Sequence, residues 1–353
     1  MRVKSTLLTF VFTILLSTAS WAEHHDANHD THTDPEKDIK TEIKEFIAHH
    51  LQDTHDFHLT KGVSFPLPVI LWDNGFQVFS SSKFHHGETV AEHNGNFYKL
   101  YHGKVYKTDT EGTITYDDHH HAVNEKPLDF SITKNVSFIL IVSVLMMWMF
   151  SRMAKSYKTN PIPTGIGRFL EPIIVYVRDD IARPNIGEKH YKRYMSFLLT
   201  VFFFVWIINL LGLTPLGVNV TNNIAVTFSL AIMTYLITTF TGNKHYWKHI
   251  FWMPGVPTPM KVILAPIELL GTIIKPFSLM IRLYANITAG HVVLMSIIGL
   301  MFIFKSWIGS PLSFGLAFAL ALLELLVAAL QAYIFTMLSA LYFGSAVEEH
   351  HDH

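Results

Sequence analysis

Cysteine is absent from the 353 residues, so neither a disulfide framework nor a thiolate metal site exists here. Charge of either sign is absent from residues 194–243, a run long enough for two membrane passes of about 20 residues each. Only 16% of residues are charged, half are hydrophobic, and the formal net charge is −1, which argues against a basic nucleic-acid binder. No glycine-rich phosphate loop occurs, so nucleotide chemistry is not expected of this chain. What remains is an integral membrane protein.

The first residues have a different pattern. Arg2 and Lys4 precede an apolar core, Leu7 to Leu16, and then Ser20-Trp21-Ala22. Charged region, short apolar core and small-residue site predict a cleavable signal peptide over residues 1–22. The core is too short for an uncleaved anchor to span a bilayer. Residues 23–130 are then polar and acidic, with 19 Asp and Glu against 9 Lys, and 15 of the 22 histidines. Thr33-Asp34-Pro35-Glu36 reads as a helix start, and Ile39, Ile43, Phe46, Ile47 and Leu51 follow at amphipathic spacing. "VILW-DNG-FQVF" and "FYKLY-HG-KVYKT" read as hairpins turning at Gly75 and Gly103. A small α+β periplasmic module behind a disordered His-rich start is expected. His24, His25, His29, His32, His119, His120 and His121 have two readings: a Zn²⁺ or Cu²⁺ site, or a solvated tail, the composition favouring the tail.

Residues 131–353 form the membrane part, expected as an all-α polytopic domain with about five passes. Val136–Ser151 with its flanks makes a first span. Residues 152–193 carry nine Lys and Arg against four acids, which places them in the cytoplasm by the positive-inside rule. Within them "IGRFLEPIIVYVRDDI" is amphipathic and suits the membrane surface. Spans near Tyr194–Leu216 and Asn222–Thr241 follow, then a cytoplasmic loop with Lys244, Lys248 and Lys261; Lys305 falls outside and departs from the rule. Two long apolar stretches close the chain, 262–304 and 313–347. A helix of about 35 residues runs roughly 52 Å against a hydrocarbon layer of about 30 Å, so both are expected to be strongly tilted.

These two stretches hold the chemistry. The first has only three formal charges: Glu268, Lys275 and Arg282, spaced by seven and so nearly on one helix face. Gly271, Ser278, Ala285 and Ala289 share that face, a small-residue stripe along which another helix can approach in lipid. Glu268 and Lys275 also suit the interfacial ends of a tilted helix. Arg282, in mid-stretch, has no such local reason: a buried arginine costs about 2.5 to 3.5 kcal/mol even on lenient scales. His291, nine residues on, points to the opposite side; alone, it reads equally well as a hydrogen-bonded structural residue. The last stretch repeats the design. Glu324 is its one formal charge, beside Ala317, Ala321, Ala328, Ala332 and Ser339, with Gln331 seven residues along. Ionisable groups in two such helices point to an ion or proton pathway.

"IIKPFSLMIRLYANITAGH" and "ELLVAALQAYIFTMLSALYFGSAVEEH" resemble the two signature segments of subunit a of F-type ATP synthases, and the resemblance covers roughly residues 130–350, including "FVWIINLLGLTP" and "VTNNIAVTFSLA". It implies a non-catalytic, cofactor-free stator subunit that conducts protons through two half-channels to a rotating ring of c subunits. It implies further partners in the b-subunit peripheral stalk and the remaining subunits. It also implies residence in the inner membrane of a diderm bacterium, N-terminus periplasmic and C-terminus cytoplasmic. Arg282 would hold the ring carboxylate in its ionised form and block a leak, with Gln331 supporting it. Asn209, Asn222, Asn223, His291 and Glu324 are candidates for the inlet and Glu268 for the outlet. Common bacterial members have a carboxylate where this chain has His291 and an imidazole where it has Glu324; the exchange resembles the mitochondrial arrangement. The alternative, a stand-alone channel or secondary transporter, predicts internal repeats and a Gly/Pro-interrupted helix pair that are not evident here.

Overall fold

The structure is a computed structural model describing residues 53–60, 63–87, 89–117, 121–159, 162, 165–214, 220–253, 256–303 and 309–348. The expected signal peptide, the amphipathic stretch at 33–51, six of the seven candidate metal histidines (all but His121) and Lys305 lie outside these residues. The first described part is built of strands: β1 (Asp56–Thr60), β2 (Val63–Pro66), β3 (Pro68–Trp72), β4 (Phe76–Ser80), β5 (Ala91–His93), β6 (Asn96–Tyr101), β7 (Lys104–Thr108) and β8 (Leu128–Asp129). They pair antiparallel as β1–β2, β4–β3–β8 and β5–β6–β7. Both expected hairpins are present. Trp72 pairs with Phe76 across the Gly75 turn, and Tyr101 with Lys104 across His102–Gly103. His102 and Gly103 both have positive φ, the geometry that matches strand twist in a two-residue turn.

One face of each three-stranded sheet closes on a small core of Val69, Leu71, Phe79, Phe84, Ala91, Tyr98 and Val105. Asp73 is buried at its edge, where Lys107 Nζ lies 2.7 Å from its carboxylate and Tyr98 Oη donates to it at 3.0 Å. The Lys107 hydrogen bond holds the Asp73 carboxyl below its ordinary range against the opposing effect of burial. Burial, with Asp73 beside it, pushes the Tyr98 phenol up to about 12.

The remainder is helical: α1 (Lys134–Thr159), α2 (Ile166–Tyr176), α3 (Arg183–Ile186), α4 (Tyr191–Gly212), α5 (Ile224–Thr241), α6 (Lys244–Phe251), α7 (Thr258–Ile303) and α8 (Gly309–Val347). Five of them, α1, α4, α5, α7 and α8, are long and apolar enough to cross a membrane. The amphipathic segment is α2, which widens into a π-helical stretch, Val177–Ala182, before α3. Pro172 inside α2 has no N–H to donate to the preceding turn. Helix α7 begins ahead of the apolar stretch read from sequence because Pro259 in its first turn forfeits no intrahelical bond. Its 46 residues and the 39 of α8 correspond to about 69 and 58 Å, well beyond the hydrocarbon layer.

Helix α8 packs on α4, α5 and α7 around one core. Tyr194 stacks on Phe343 with centroids 4.6 Å apart. At the end of α8 the carbonyls of Ala346 and Val347 accept from the backbone and side-chain nitrogens of Asn243, at 2.8 and 3.1 Å. These are two of the helix-end acceptors that would otherwise lack a donor. Gly344 makes the closest approach: a Cβ there would stand 1.8 Å from the Asn185 carbonyl oxygen. Gly344→Ala should therefore push α8 off α3 and cost several degrees of thermal stability or prevent accumulation. Gly315→Ala, where a Cβ meets nothing within 4 Å, should be near neutral. Equal melting of the two variants in detergent would contradict the packing described.

Candidate functional site

Helices α4, α7 and α8 enclose a cavity of about 300 Å³. Asn209, from the last turn of α4, is held by Thr221, whose Oγ1 donates to Asn209 Oδ1 at 2.9 Å. Glu324 and Gln331 enter from α8, two turns apart; Asn286 and Gly290 enter from α7, one turn apart. The rest of the wall is mostly aliphatic.

Glu324 reaches this cavity because Gly290 has no side chain. A Cβ at 290 would lie 2.9 Å from Glu324 Oε1 and 3.3 Å from its Cγ, so the glutamate rests on the backbone of α7. Glu324 Oε2 and Asn209 Nδ2 are both buried with no hydrogen-bond partner among the described residues. A donor and an acceptor left open in one cavity incur a desolvation cost that water in a space this size relieves.

Arg282 lies outside that cavity lining and is exposed, with no hydrogen bond or ion pair to another described residue. Ser278, Ala285 and Ala289 are exposed beside it, while Leu279, Met280 and Leu283 on the same helix are buried in the core. From Ser278 to Ala289 the small-residue face of α7 is thus uncovered by the described residues. The corresponding residues of α8 are turned the other way: Ala317, Ala328, Ala332 and Ser339 are buried within the chain, and only Ala321 of that stripe is exposed.

The other sequence candidates are dispersed. Asn222 accepts a hydrogen bond from Thr288 Oγ1 of α7. Asn223 caps α5, its Oδ1 accepting from Ala225 N at 2.9 Å. Glu268 Oε1 lies 3.8 Å from His249 Nδ1 of α6, and the Lys275 ammonium sits 5.6 Å from the centre of the Tyr342 ring. His291 follows Gly290 on α7, but its side chain is outside the description. His121 pairs with Asp117 at 3.5 Å. Sequence reading passed over Asn286, Gly290, Thr221 and Thr288. Asn286 and Gly290, four apart between Arg282 and His291, were the available signal: a polar residue and a gap on one face of an apolar helix.

Two family models match the chain. ATP synthase A chain matches residues 136–344, and Domain of unknown function (DUF8433) matches residues 46–130. Curated relatives include ATP synthase subunit a of Chloroherpeton thalassium, 41% identical over 64% of this chain and 69% of its own length. ATP synthase subunit a 2 of Chlorobaculum tepidum is 42% identical over 64% of this chain and 66% of its own. ATP synthase subunit a of Myxococcus xanthus is 41% identical over 64% and 76%. With more than half its length matched by that model, the chain belongs to the ATP synthase A chain family, as a multi-pass, non-catalytic membrane subunit of the complex.

Proposed function

We propose that this subunit is the proton-conducting stator of an F-type ATP synthase, offering one half-channel on each side of an arginine that faces the c-subunit ring. The observation that carries the reading is Glu324: a carboxylate buried at membrane depth, with no partner for Oε2 among the described residues, opening on a cavity it shares with Asn209 and Gln331. An intramembrane acid facing a cavity large enough for several waters is suited to take up and pass on protons. The stand-alone channel or transporter draws no comparable support, because the family match is to a subunit of a complex.

In this reading protons enter from the periplasm through the cavity and reach Glu324, with His291 as its relay partner. An imidazole beside a carboxylate gives two groups between which a proton can pass. The proton then passes to a carboxylate on the ring. Arg282, on the uncovered small-residue face of α7, attracts that carboxylate when it is ionised and repels a proton crossing directly to the other half-channel. Asn222 and Asn223 border the path rather than carry it, one held by Thr288 and the other serving as a helix cap. Glu268, beside His249, is the outlet candidate. The chain sits in the inner membrane, with residues 23–130 periplasmic after removal of the signal and the peripheral stalk and ring as neighbours.

Three measurements test this. Arg282→Ala should abolish ATP synthesis and proton-coupled hydrolysis, and Arg282→Lys should also fail, because an ammonium lacks the planar, persistently charged fork. Substantial synthesis by the lysine variant would leave only charge, not geometry, as the requirement. His291→Glu and Glu324→His should each slow passive proton flux through the membrane sector with the catalytic head stripped off. The double exchange should recover much of the rate, with a coupling of about 0.5 to 3 kcal/mol. Strictly additive losses would show that the two do not act together. Mass spectrometry of the purified chain should find Glu23 at the N-terminus, and an intact Met1 would sink the cleaved signal.

A further inference from the structure

The sheet β4–β3–β8 has an unusual second face. Its inner residues Val69, Leu71 and Phe79 form the core of the strand module. Antiparallel sheets of this kind normally present polar residues to water on the other side. Here the register sets Ile70 opposite Val78, Trp72 opposite Phe76 and Trp72 opposite Leu128. Phe130 N donates to Ile70 O, so Phe130 continues the row beside Ile70. Beyond the Pro68–Ser80 pair at its end, the outward face is six apolar side chains, and no charge stands on it. Apart from the half-buried Ile70 they are exposed, from 46% for Trp72 to 68% for Phe76. A contiguous apolar patch on three strands marks a contact surface rather than a scatter of single exposed residues.

Where this patch lies decides what covers it. Phe130 is four residues from Lys134, the first residue of α1, so at full extension no more than about 14 Å separates them. Three hydrogen bonds fasten the strands to the entry of that helix: Ile132 N to Pro68 O at 3.1 Å, Lys134 N to Thr54 O at 2.9 Å, and Asn135 N to Asp53 Oδ1 at 3.1 Å. The apolar span of α1, Lys134–Lys158, runs about 37 Å, longer than the hydrocarbon layer, which brings its first turn to the polar interface. The patch is thus held within a strand length of the bilayer surface. Three of its six residues are Trp72, Phe76 and Phe130, and aromatic side chains of this kind settle at that depth.

We propose that the outward face of β4–β3–β8 is a lipid-contact surface, seated in the interfacial layer of the leaflet where α1 enters. The occupant is the bilayer itself, and the face anchors the strand module beside the membrane domain. This does not depend on the proton path or on which side of the membrane the module occupies.

The absence of cysteine makes the test direct, since one introduced thiol is unique in the full chain. Val78→Cys and Leu128→Cys, on two different strands, report the face; Lys104→Cys and Glu92→Cys, exposed on the other sheet, serve as references. Each full-length variant is labelled with an environment-sensitive fluorophore in phosphatidylcholine nanodiscs. Labels at 78 and 128 should emit to the blue of those at 104 and 92, lose intensity to doxyl-labelled phosphatidylcholine, and resist aqueous iodide. Agreement between the two strands guards against local disruption by either substitution. Iodide quenching at 78 and 128 equal to that at 104 would overturn the proposal. So would shielding from both quenchers, which would mean that protein, whether another part of this chain or a second copy, covers the face.

Discussion

The membrane domain depends on one ridge along α8. Glu324, Ala328, Ala332, Thr336, Ala340 and Gly344 follow at intervals of four, and all six are buried. An i+4 row is inclined to the helix axis, so a buried row of this length winds around α8 instead of lying on one side. Its later end, at Gly344, lies against the backbone of α3, and its first end, at Glu324, lies against the backbone of α7. Small residues between them let neighbouring helices approach in lipid, where close packing rather than hydrophobic exclusion holds helices together. Glu324 is the one ionisable member of the ridge. Its direction is set by the same packing that sets the helix, so the cavity acid sits on a rigid element.

The helical hydroxyls show how the interior tolerates polarity. Thr234, Thr238, Thr336 and Ser339 each donate to a carbonyl of the preceding turn, which satisfies them without any partner helix. Thr234 and Ser339 also face each other at 3.4 Å between α5 and α8. Against this background the open atoms around the cavity stand apart. Among the described residues Asn209 has its oxygen satisfied and its nitrogen open, and Glu324 Oε2 has no partner.

Much of the architecture was legible because hydropathy and length speak strongly in a membrane chain. The five long helices lie where apolar runs lie, and the hairpins turn where Asn74-Gly75 and His102-Gly103 interrupt strand-like runs. The limits have a physical cause. A stripe of small residues says that something comes close, not what; on α7 that face is open, while on α8 it is filled by the chain's own helices. Asparagines in an apolar run are equally ambiguous. Asn209 lines the cavity, Asn222 binds Thr288 and Asn223 caps a helix, and residue type alone separates none of these. Gly290 was legible only as a gap in an apolar helix: its importance lies in the side chain it lacks, which matters only once Glu324 is known to lie opposite.

The placement of the two intramembrane charges completes the argument. An arginine and a glutamate on adjacent helices could have neutralised each other, and pairing is the usual solution for charges at this depth. Among the described residues the two are not paired. Glu324 turns inward onto Gly290, while Arg282 stands on the uncovered face of α7 with no ion pair to a described residue. A guanidinium left without a counter-charge in lipid is costly, and an internal pair at this depth would be costly to break. Under the proposed function the missing negative charge arrives on another chain, and that charge must come and go. Under that reading an internal Arg282–Glu324 pair would leave the arginine nothing to offer a passing carboxylate and the glutamate no reason to exchange a proton.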